Sequence, residues 1–80
     1  MARALLVLHQ IDNLDEAVAS YRQAIALQAD YAEAHCNLGI TLNELGRLDE
    51  AEASYRQAIV LKPDYVEAYV NLGIAINIRA

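Results

Sequence analysis

LDEAEASYRQAIVLKPDY at residues 48–65 repeats LDEAVASYRQAIALQADY at residues 14–31 with few changes. The flanking text repeats as well: AEAHCNLGITLNELG (32–46) returns as VEAYVNLGIAINIRA (66–80). The offset is 34 residues throughout. A fixed period of this size marks an architecture of stacked units, in which one hydrophobic face is buried only by a neighbouring unit. It directs the function towards binding and away from catalysis.

The local signals are helical. Leu48, Ala51, Tyr55, Ala58, Ile59 and Leu61 form one stripe at helical spacing. Gly46 stands where a helix must stop and the chain must turn. Pro63 ends the following helix because it lacks an N–H donor. Asp64/Glu67, Asp30/Glu33 and Asn13/Glu16 have the spacing of capping boxes. The spacing predicts five helices, at 2–11, 14–28, 31–45, 48–61 and 65–78. Links of two to four residues make neighbours antiparallel.

Composition sets the outer limits. Eighty residues make one small domain, and a chain of this size buries only ~60% of its unfolded surface. The net charge of −5 and the six scattered Lys and Arg leave no basic stripe for nucleic acid or an anionic membrane. One cysteine forms no internal disulfide, which fits a reducing compartment. The apolar run in MARALLVLHQ is too short for a signal-peptide core, and no run reaches the ~20 residues of a membrane span. The expectation is a soluble, cytoplasmic protein.

Asn37-Leu38-Gly39, Leu42, Gly46, Leu48, Ala51, Tyr55, Ala58 and Pro63 together resemble the tetratricopeptide repeat. The texture is most similar to bacterial repeats and to those of the O-linked N-acetylglucosamine transferase. The resemblance implies an all-α fold of antiparallel helix hairpins in a right-handed superhelical solenoid, about two and a half units in five helices. The units are a divergent first one (1–31), a complete one (32–65) and the first helix of another (66–80). Small Gly39, Ala51 and Ala58 let backbones approach, as do Gly73, Ala17 and Ala24. Tyr21 and Tyr55 fill the space between units, and Leu38, Leu42, Leu72 and Ile76 line the packing faces.

Three positions depart from the pattern. Asp12 replaces the turn glycine. Ala29 replaces the terminating proline, leaving that helix free to fray or run on. Residues 1–11 share little with the equivalent helices, so they form a divergent cap or a truncated repeat.

No catalytic or metal site is expected. Adjacent His35 and Cys36 point about 100° apart on a helix and share no ligand. His35 occupies the place of Tyr69, an aromatic packing slot, and Cys36 that of Val70. No base or orienting partner accompanies the thiol. Asp49, Glu50 and Glu52 suit the positive end of a helix dipole. No cofactor is implied.

The resemblance implies a concave groove lined by Glu33, Cys36, Asn37, Ile40, Asn43 and Glu44, then by Glu67, Val70, Asn71, Ile74, Asn77 and Ile78. Asn37 and Asn71 align with an asparagine ladder that holds an extended peptide backbone, since an amide both donates and accepts. Local bonding between repeats is the alternative role for them. Arg3 stands at the equivalent place in the first unit. With Glu33, Glu44 and Glu67 and no lysine, this groove suits a neutral to basic peptide.

The last helix would present Tyr69, Leu72, Ile76 and Ile78 to water. Each such burial is worth roughly 1.5–3 kcal/mol, so self-association is expected. A milder case arises at Leu5, Leu6 and Leu8. A closed symmetric dimer through the last helices is favoured over helix exchange and over head-to-tail stacking. The function read from the sequence is a protein-interaction scaffold or adaptor. The alternatives are a structural self-assembly unit and an excised regulatory repeat region of a larger enzyme.

Overall fold

The structure, a computed structural model, describes the backbone of residues 2–79 and the side chains of residues 13–78. Among these residues there are four helices and no strand: α1 (Ala2–Leu27), α2 (Ala32–Glu44), α3 (Leu48–Leu61) and α4 (Val66–Arg79). Each packs on the next in chain order, and α2 also touches α4.

The hairpin of α2 and α3 is the best-formed unit. Its turn rests on Gly46, whose φ of 79° is left-handed. The Arg47 N–H donates to the Leu42 carbonyl at 2.9 Å and the Gly46 N–H to the Asn43 carbonyl at 3.0 Å. This pair of bonds satisfies carbonyls that the helix end leaves without partners, in the Schellman arrangement. A residue with a Cβ would pay roughly 1–2 kcal/mol for the same conformation.

That cost explains the main difference from the sequence expectation. Two helices were expected at 2–11 and 14–28, and the chain forms one, α1, from Ala2 to Leu27. The counterpart of Gly46 is Asp12, which remains inside α1. Without a glycine the turn is costly, and the helix continues through it. The described architecture therefore runs from a helix of the second type (residues 14–27, within α1) through a full hairpin (α2, α3) to a helix of the first type (α4).

The other departure has less effect. Ala29 replaces proline, yet α1 stops at Leu27, the counterpart of Leu61, where α3 stops. The two turns match: Tyr31 N–H bonds to the Gln28 carbonyl and Tyr65 N–H to the Lys62 carbonyl. The His35 Nε2 lies 3.1 Å from the Ala29 carbonyl and donates to it.

The capping box expected at α2 does not form. Tyr31 is the N-cap there, and it makes no side-chain cap bond. Asp30 falls one residue early, because the turn closed at Tyr31 delays the helix. Asp64 falls two residues ahead of α4, and Asn13 lies within α1.

The core gathers Val18, Cys36, Leu38, Leu42, Ala51, Tyr55, Ala58, Ala68 and Ala75. Tyr55 is the largest fully buried side chain, 1% exposed. Its ring lies against the backbone of Gly39, where an added Cβ would come within 2.6 Å of ring carbon Cε1. The equivalent Gly73 on α4 has no such neighbour within 4 Å.

These two glycines yield a paired prediction. Gly39→Ala should cost about 1–3 kcal/mol by overpacking. Gly73→Ala should be neutral or stabilise by up to about 1 kcal/mol through helix propensity. Urea unfolding of both variants checks this, and equal losses would contradict the packing described.

Candidate functional site

The positions expected to line a groove lie on α2 and α4. On α2, Glu33, Asn37 and Glu44 are exposed, and Ile40 and Asn43 are half-buried. On α4, Glu67, Val70, Ile74, Asn77 and Ile78 are exposed, and Asn71 is half-buried.

Cys36 differs from the expectation. It was placed on the groove wall and is fully buried, with 0% exposure. Burial raises its pKa, the Tyr65 and Asn71 hydrogen bonds pull it down, and the Glu67 charge raises it. The net result is a thiol held protonated, which is inert as a nucleophile. Burial and the Cys36 bond likewise push the Tyr65 hydroxyl up to about 12.

The two asparagines are therefore unequal. Asn37 stands free of the core, and its own carbonyl accepts the Thr41 hydroxyl at 3.0 Å. Asn71 is half-buried. Asn43 carries a buried side-chain carbonyl oxygen that accepts no hydrogen bond among the described residues.

Charge on this face is negative. Glu33, Glu44 and Glu67 are exposed. Nearby cations are committed elsewhere: Arg47 pairs with Glu50, Arg56 pairs with Glu52 at 3.0 Å, and Lys62 lies 4.7 Å from the Tyr65 ring centroid. Such exposed pairs add little to stability, and among the described residues no ion pair to Glu33, Glu44 or Glu67 is seen.

Of the residues expected at a self-association face, Tyr69 and Ile78 are exposed, Ile78 by 60%. Leu72 and Ile76 are half-buried, less open than expected, and Leu72 packs against the core. Val66, Val70 and Ile74 add to the uncovered apolar surface of α4. Leu5, Leu6 and Leu8, and the Arg3 counterpart of the asparagines, lie outside the described side chains.

Two hollows were not legible in the sequence. One, of ≈ 430 Å³, is lined by Arg22, Ile25, Ala26, His35, Leu38, Ala53, Ser54 and Gln57, and no groove residue borders it. The other, of ≈ 260 Å³, is lined by Ser20, Tyr21, Ala24, Tyr31, Ala34 and Asn37. It opens because α1 runs straight and no helix folds back beside Tyr21. Asp12 was the signal for it. Among the described residues, no His, Cys, Asp and Glu side chains cluster as metal ligands, and no helix is long and apolar enough to cross a membrane.

Comparison with protein families matches the chain twice to a TPR repeat, over residues 6–46 and 41–76. No curated protein matches it.

The buried tyrosine sets an alkaline limit. Burial pushes Tyr55 up to about 12 from its usual 10. Between those values the folded state keeps a proton that the unfolded state has lost, so stability is full below pH 10 and falls as pH rises through 12. Urea midpoints measured from about pH 9 to about pH 11.5 should decline across this window, and a flat profile would contradict the burial of the hydroxyl.

Proposed function

The chain belongs to the tetratricopeptide repeat family, and from that premise we propose that it is an interaction scaffold whose α2–α4 face holds an extended segment of a partner protein. Repeats of this family generally mediate protein–protein contact. The observation that carries the finer reading is the recurrence of asparagine at the same place on two adjacent helices, Asn37 on α2 and Asn71 on α4. An amide at each rung matches a peptide group's donor and acceptor without reading side chains. The likeness to the transferase's repeats belongs to this reading.

The partner segment is neutral to basic. Exposed Glu33, Glu44 and Glu67 repel an acidic tail and attract Lys or Arg. Exposed Val70 and Ile74 add aliphatic contact. Asn43 and Asn77 extend the polar edge, and half-buried Ile40 lies between. The scaffold works by binding, without a cofactor: His35 is spent on a backbone carbonyl and the Cys36 thiol is buried and protonated. A single buried thiol suits the reducing cytoplasm.

A second role is supported by α4. Its apolar side, with Tyr69, Leu72, Ile76 and Ile78, favours association between copies, so self-assembly accompanies or replaces partner binding. Asn37→Ala with Asn71→Ala tests the first role. The pair should weaken a basic test peptide about tenfold, from two lost hydrogen bonds, with helicity unchanged. Fluorescence anisotropy with matched basic and acidic peptides measures it. Tighter binding of the acidic peptide would overturn the groove reading.

A further inference from the structure

We infer that α4 of one copy seats in the hollow beside Tyr21 of a second copy, so that copies join head to tail. The inference rests on the self-association reading and supplies its other half, the surface that receives α4.

The receiving surface is identified by its counterpart within the chain. Tyr21, Ala24, Tyr31, Ala34 and Asn37 line the ≈ 260 Å³ hollow. One unit later the same positions are Tyr55, Ala58, Tyr65, Ala68 and Asn71. There α2 covers them: Gly39 lies against the Tyr55 ring. Coverage is visible in the burial. Tyr55 is 1% exposed and Ala58 is buried, whereas Tyr21 and Ala24 are half-open and Tyr31 is 40% exposed. The hollow is thus the seat of a helix like α2, left vacant where α1 runs straight.

The occupant is α4. It repeats α2 at Glu67, Ala68, Asn71, Leu72, Gly73, Ile74 and Asn77. Gly73 stands where Gly39 does, and a Cβ there would meet nothing within 4 Å, so the place that Tyr55 fills on α2 is open on α4. Val70 stands where Cys36 does and is 55% exposed. The two surfaces also carry the right sequences for each other. Residues 14–27 differ from α3 only at Val18 and Ala26, which replace Glu52 and Val60. Docking α4 on residues 14–27 of another copy therefore reproduces the α2–α3 contact almost residue for residue, with Tyr21 on Gly73 as Tyr55 is on Gly39.

Such a contact is heterologous. It uses a different surface on each partner, leaves one of each free at the ends and continues beyond two copies. This replaces the symmetric dimer expected from the sequence.

Sedimentation of the 80-residue chain over a concentration series tests it. The weight-average mass should rise past the dimer. Gly73→Leu disables only α4, in a place where an added Cβ meets nothing within 4 Å. Ala24→Arg disables only the hollow, and Tyr31→Asp is a second variant there, at an N-cap position that aspartate suits. Each variant alone should be monomeric with native helicity, or weakened at least about tenfold. Gly73→Leu mixed with either hollow variant should give a 1:1 pair that grows no further. Dimers of Ala24→Arg and Tyr31→Asp alone would overturn the inference and leave self-association through α4 intact. A wild-type monomer at every concentration would overturn both, and so would growth that ignores all three substitutions.

Discussion

The contact between the Tyr55 ring and the bare backbone of Gly39 governs the packing of this chain. An aromatic ring at that distance needs a partner without a side chain, and the hairpin of α2 and α3 closes around it. With the ring in place, Ala51 and Ala58 are shut from water on α3, and Leu38 and Leu42 on α2. The unit remains incomplete by itself. Its other flank is covered only when α4 crosses it, which is why Cys36 is buried beneath residues of the next unit. The structure is a set of half-sites, each completed by a neighbour.

The proposed function draws on the same arrangement. Helices of the first type carry two different faces. One carries Leu, Gly and Ala and serves packing, and the other carries Asn and Glu. In the proposed scaffold, the stacking of α2 and α4 sets the spacing of the asparagines, rigid presentation lowers the entropic cost of binding, and the acidic side chains favour a neutral to basic partner.

Much of the fold was legible because packing residues repeat with the units. The turn at Gly46 and the stop at Leu61 were placed from spacing, and the packing of Leu42 and Ala58 came with the family resemblance; Tyr55 was expected between units, and its ring packs on Gly39 within its own hairpin. The first turn was not, since Asp12 had to be weighed against a glycine by an energy of only about 1–2 kcal/mol, and the helix won. The capping boxes failed for a geometric reason: the turn closed at Tyr31 moved the cap one residue past Asp30. Cys36 was misplaced because the family resemblance assigns it a groove position without showing what packs over it, and it is 0% exposed. His35 was read as packing, and its bond to the Ala29 carbonyl is a long-reach contact that only the fold reveals.

The account stands on the tyrosine–glycine contact as a specific coupling, beyond general hydrophobic burial. A double-mutant cycle with Gly39→Ala and Tyr55→Leu, followed by urea unfolding, measures it directly. The overpacking cost of Gly39→Ala should largely vanish when the ring is absent, giving a coupling of about 1–3 kcal/mol. Additive losses, within about 0.5 kcal/mol, would mean that the ring and the glycine do not fit each other as described.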